Sequence, residues 1–376
     1  MASLGMGRET TDKPIPVVIW DAAFPFPNAW NLFDTKGPFY SASSRVIIVP
    51  SFHQGVHRTD RVEYFCGVGI HEGFHALIFD WAKNREITAR DALRFWSKLD
   101  EPAARWRKFE ESCAVFLETT INGGTSYLDY GRDHQSAFSL SHRTIQSNNA
   151  HARTSSGGLT PSLETEEEYA HFAFLEFVNE RWPNLNIHWL RLVWAEVFSL
   201  KEPFMLLQES LFDAAVAEGV GGARLADSPV ARLFLAYVEE AAFAAAPIGA
   251  LARLRQEFGK PAAFMLQQGC LPALGVVHAM SAQFFKFHGK GSSLRIETSG
   301  GATPGASPAD TFIRVARIGE QGGNFDIEIP ESSLIEGTSD AHWEIPIPDD
   351  MEKEYLAMLC RPHFDKRGIG YSVRWL

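Results

Sequence analysis

Apolar residues along this chain change period twice, from strand to helix spacing and back, and each change predicts a different kind of element. From Val62 to Lys83 and from Ala103 to Ile121 they recur every three to four positions, the spacing of amphipathic helices. Before these, Pro16 to Trp20 and Arg45 to Pro50 are short β-branched runs bounded by turn residues, which predicts strands. Helical spacing returns at Tyr169 to Trp182, opened by Thr165-Glu166-Glu167-Glu168 and closed by Pro183, and again at 188–200, 203–218, 229–245 and 247–258. Beyond Leu294 the pattern turns to strict alternation, at Leu294 to Thr298, Phe312 to Ile318, Phe325 to Ile329, His342 to Ile347 and Tyr371 to Trp375. An α+β protein is expected, with a metal-site domain over 1–155, an irregular helical bundle over 156–290 and a small antiparallel β domain with one wet face over 291–376.

At 376 residues the chain is too long for one core, and with 45% hydrophobic and 22% charged residues its composition is that of an ordinary globular protein. A net charge of −11 without a basic run argues against a nucleic-acid partner. The longest apolar candidate for a membrane span, Leu233 to Leu251, is interrupted by Glu239, Glu240 and Pro247, so no membrane partner is expected. The polar start, Met1 to Lys13, has no apolar stretch of a signal peptide, and the four cysteines form no close pair; both fit a reducing, cytoplasmic location.

The chemistry is concentrated in His71-Glu72-Gly73-Phe74-His75. Residues four apart lie one turn above each other, about 6 Å along the axis, so both imidazoles can face one ion. Glu72, about 100° round from His71, can reach a water there without ligating. Val68, Phe74 and Ile78 share the histidine face, which predicts that it is buried. Gly69 and Gly73 form a row on the far side, where close helix packing is expected because glycine is costly inside a helix. On the later helix Trp106, Phe109, Cys113, Phe116, Leu117 and Thr120 make an apolar stripe. Glu110 borders that stripe, while Glu111 and Glu118 project away from it.

His71-Glu72-Gly73-Phe74-His75, followed by the helix carrying Glu110, Cys113 and Phe116, resembles the gluzincin-type zinc metallopeptidases. The likeness runs from about Phe39 to Thr120. It implies Zn2+ held by His71, His75 and Glu110, with Glu72 as the catalytic base that activates water against a peptide or protein substrate. It also implies that the strand ending at Pro50 lines the cleft and pairs with an extended substrate. Glu111 or a loop histidine, His142 first, stands as the alternative third ligand.

Two other classes fit the same residues. The site suits Fe2+ in a 2-oxoglutarate-dependent peptide hydroxylase, with Arg132, Arg143 or Arg153 pairing the co-substrate carboxylate. A scaffold protein in which the His-Glu-x-x-His spacing is fortuitous is the other. His171, His188 and His278 sit among apolar residues and read as core or surface histidines.

Overall fold

The structure is a computed structural model that describes residues 14–20, 39–41, 45–50, 61–83, 101–121, 172–181, 229–258, 260–261, 263–277, 281–299, 311–319, 324–328, 333–334, 341–348, 353–362 and 369–376. It is an α+β protein whose described elements fall into two compact units.

The first unit begins with three strands, β1 (Val17–Trp20), β2 (Phe39–Ser41) and β3 (Val46–Pro50), in the order β1-β3-β2. β3 is central, parallel to β1 (Val17 opposite Ile47) and antiparallel to β2 (Tyr40 opposite Ile47). The strand at the margin of this sheet on the hairpin side is therefore β2, whereas the sequence points to the strand ending at Pro50. β3 has a strand on each side, so its backbone is committed to the ladder.

Helix α1 (Arg61–Lys83) packs on this sheet. Val68, fully buried, meets Ile47 and Val49, which alternate onto one face of β3. Helix α2 (Glu101–Ile121) lies against α1, and α3 (Phe172–Arg181) lies against α2. Flanked in this way, α2 is buried at every position from Glu110 to Thr119. A one-sided stripe is thus the wrong description of it: Glu111 and Glu118, expected to project away, are buried, Glu118 completely. Its environment is set by two neighbouring helices, which a single-helix projection does not contain.

Gly69 also departs from expectation, since a Cβ placed there would meet nothing within 4 Å. Close packing does not account for that glycine.

The second unit holds α4 (Pro229–Phe243), α5 (Gly249–Phe258) and two sheets. α4 and α5 occupy much of the Leu233 to Leu251 stretch, with the break at Pro247, and no described helix is long and apolar enough to cross a membrane. Arg255 of α5 reaches back to donate to the carbonyl of Ala241 at 3.2 Å and to that of Ala244, satisfying the end of α4.

One sheet runs β10 (Ser333–Leu334), β11 (Ala341–Pro346), β7 (Ser293–Ser299), β13 (Ile369–Trp375), β5 (Ala273–Val277). The other runs β4 (Phe264–Met265), β6 (Ser281–Gly289), β12 (Lys353–Arg361), β8 (Phe312–Ile318), β9 (Asn324–Asp326). All pairings are antiparallel except β4 with β6.

Two sheets, not one, share a single core of Phe285, Phe287, Leu294, Ile296, Val315, Trp343, Tyr355 and Trp375. Strands begin at Phe264, ahead of residue 291, because β4 to β6 carry no clean alternation. In β6 and β12 both faces are largely buried. α4 covers the outer face of their sheet, where Arg314 of β8 pairs with Glu239 at 3.1 Å and stacks 4.5 Å above the Phe243 ring. The helices expected at 188–200 and 203–218 lie outside the described residues.

Candidate metal centre

The site is built where α1 crosses α2. His71, 1% exposed, places Nε2 3.2 Å from Glu111 Oε2 and Nδ1 3.5 Å from Glu118 Oε2. His75 places Nδ1 2.8 Å from Glu110 Oε1 and Nε2 3.4 Å from Glu111 Oε2. The earlier histidine meets the later glutamates, so the two helices run antiparallel. Their rings meet edge to face with centroids 5.0 Å apart.

One atom, Glu111 Oε2, therefore faces the Nε2 atoms of both histidines. His71, His75 and Glu111 bring one ligand atom each to within 4.8 Å of one another, a spacing suited to a shared metal ion. The expected set of His71, His75 and Glu110 differs at its third member. Glu110 is at the site and buried, yet it addresses the opposite nitrogen of His75, behind the ring. The two neighbours differ by about 100° around the helix, and burial of the whole segment lets Glu111 take the central place. His142, Arg132, Arg143 and Arg153 lie outside the described residues, as do His171, His188 and His278.

Glu118 was not among the expected site residues. Its signal in the sequence is the seven-residue interval from Glu111, which returns two helical turns later to the same face. Thr119, next to it, hydrogen-bonds the Glu176 carboxylate of α3 and thereby ties the third helix to the back of α2.

The electrostatics follow from this enclosure. Burial alone pulls His71 down, but its hydrogen bond to Glu111 and the Glu118 carboxylate 3.5 Å from Nδ1 outweigh that and push it up to about 9. Burial likewise opposes the charge on His75, and Glu111 and Glu110 hold it well above the usual imidazole range. Burial pushes the Glu111 carboxyl up, yet the charge of His75 and the hydrogen bonds from both rings keep it well below the ordinary carboxylate range. With a carboxylate near each nitrogen, the surroundings favour the imidazolium form of both rings, because a neutral imidazole donates from one nitrogen only. Protons on the two Nε2 atoms would lie in the space between the rings and Glu111. A divalent cation offers the same positive charge to the same three atoms, so the donor set fits a metal of the zinc type.

Glu72, 5% exposed, sits beside this group without being one of the three. Burial pushes its carboxyl above the usual range, opposed by the charges of His75 and His71 and by the backbone amide of Tyr40. That amide belongs to β2. Ile47 donates its N–H to Pro16 on the β1 side at 3.0 Å, so Tyr40, opposite Ile47, turns its own N–H away from β3. The margin of β2 thus lies along the site. Access is asymmetric: the side chains of His75 and Glu111 keep 13% and 10% of their surface, while that of His71 keeps 2%.

No protein-family model matches this chain, and no curated protein sequence does.

Proposed function

We propose that the chain is a metal-dependent hydrolase of the zincin type, a zinc peptidase acting on peptide or protein substrates in the cytoplasm. The observation that carries this reading is the convergence of His71 Nε2, His75 Nε2 and Glu111 Oε2, with a fourth carboxylate, Glu72, alongside. Among the three classes that the residues admit, a scaffold has no use for it. Burying several ionised groups costs several kcal/mol each unless they are paired, and an apolar helix contact would be cheaper.

In this reading His71, His75 and Glu111 would hold Zn2+, which would supply a water of lowered pKa and a Lewis acid for the scissile carbonyl. Glu72 would take the proton of the attacking water and return it to the leaving amine. Its raised pKa suits the task, since a base nearer neutrality both accepts and returns a proton at working pH. The Tyr40 amide fixes the Glu72 carboxylate in place. The margin of β2 offers backbone groups to an extended substrate chain, and the more accessible His75 side is where substrate reaches the ion.

Glu72→Gln tests it. The substitution keeps size and removes the base, so turnover of a cleavable peptide should fall by about 10²- to 10⁴-fold while bound metal stays at one ion per chain. Unchanged turnover would refute the mechanism. Turnover that requires Fe2+ and 2-oxoglutarate would move the site to the hydroxylase class.

A further inference from the structure

Two of the four imidazole nitrogen contacts concern more than a cation: Glu111 serves both Nε2 atoms, but the two Nδ1 atoms each have a carboxylate of their own. The geometry assigns Glu110 and Glu118 as positioning residues, Glu110 hydrogen-bonded to His75 Nδ1 and Glu118 at ion-pair distance from His71 Nδ1, so that both Nε2 lone pairs are delivered to one cation beside Glu111. This rests on the metal-centre reading above and goes beyond it, because neither residue touches the cation.

A neutral imidazole carries one proton, and the acceptor at one nitrogen decides that the other keeps its lone pair. Glu110 accepts from His75 Nδ1 at 2.8 Å, and Glu118 faces His71 Nδ1 at 3.5 Å. Both acceptors come from α2, the helix that also supplies Glu111, so one rigid element sets the ion-facing carboxylate and both ring orientations. Glu110 is 2% and Glu118 0% exposed, which leaves water no room to replace them as acceptors. Carboxylates behind ligating histidines fix the ring and raise its basicity, and their loss typically weakens metal binding by about 10- to 100-fold.

The test measures Zn2+ affinity by competition with a chromophoric chelator, and the ring-nitrogen tautomers of the Zn2+-loaded protein by long-range 1H–15N NMR. Wild type should bind one Zn2+ with both histidines as Nδ1–H tautomers. Glu118→Ala and Glu110→Ala should each weaken binding by about 10- to 100-fold, and each should lose the protected Nδ1–H signal of its own histidine only. Glu118→Gln and Glu110→Gln, which keep an acceptor oxygen but not the charge, should retain the tautomer and recover part of the affinity. If an alanine variant does not fold, its glutamine counterpart decides by weaker binding with the tautomer kept. Wild-type affinity and tautomers in the variants would overturn the positioning role while leaving the metal centre intact. A wild-type protein that binds no Zn2+ would overturn both.

Discussion

The helical site and the β-sandwich are both densely buried, yet they bury opposite things. Inside the sandwich, Phe287 stacks on Tyr355 with centroids 5.2 Å apart and tilts against Trp375 at 5.7 Å, joining the two sheets through aromatic surface. Its buried polar side chains stand near strand ends: Ser281 and Arg361 are opposite one another where β6 begins and β12 finishes. Between α1 and α2, by contrast, His71, Glu72, Glu110, Glu111 and Glu118 are buried within the helices. Apolar burial stabilises by about 25 cal/mol per Å² whatever the pH, whereas buried charge is tolerable only while its partners stay ionised or an ion is present. Stability in the sandwich should therefore be unconditional, and in the helical unit conditional.

The largest test of that contrast is loss of the cation or its donors. His71→Ala, His75→Ala and Glu111→Gln should each abolish stoichiometric metal under mild chelation, and Glu110→Gln should weaken binding less than Glu111→Gln does. At a metal concentration 1,000 times Kd, bound ion stabilises by about 4 kcal/mol. Chelation should accordingly lower hydrogen-exchange protection in α1 and α2 and leave β6 and β12 unchanged. Equal losses in both would break the comparison.

Phe287→Ala probes the other side. Removing a fully buried aromatic should cost about 3–5 kcal/mol in denaturant unfolding, with metal content unaltered. Gly289→Ala should destabilise the same core by about 1–3 kcal/mol, because its Cβ would overlap the Trp375 indole.

The pH dependence sharpens the contrast further. In the metal-free protein His71 is raised from 6.5 to about 9, so its stabilising contribution is complete below 6.5 and is lost as pH rises through about 9. Glu111 is lowered, so its contribution is present above its ordinary value of 4.5 and is lost in acid. Thermal unfolding of the helical unit should thus be most favourable to the fold between these limits and decline toward pH 9. Metal binding should run the other way, strengthening up to about pH 9, because each displaced proton makes affinity rise about tenfold per pH unit. A flat profile in both would remove the charged pairs from the account.

The smallest effect is at Gly69. With open space around the missing Cβ, Gly69→Ala should stabilise α1 by about 0.5–1 kcal/mol through lower chain entropy and leave metal binding alone.

Local periodicity was enough to place α1, α2, α4, α5 and the strands β7, β8, β11 and β13, since each of these carries a period that its own residues impose. His71 and His75 on one buried face, with Glu72 next to them, were legible for the same reason: the spacing lies within two turns of one helix. The strands β6 and β12 were not, because a strand covered on both faces loses its alternation, and the cover over them is α4, supplied from elsewhere in the chain. Which of Glu110 and Glu111 stands between the two Nε2 atoms belonged to the tertiary structure alone, and the seven-residue spacing of Glu118 from Glu111 acquires meaning only once that is known. A carboxylate's role there depends on which helix lies against which side of α2. That rotation is fixed by the packing of α1 and α3, and no pattern within residues 101–121 encodes it.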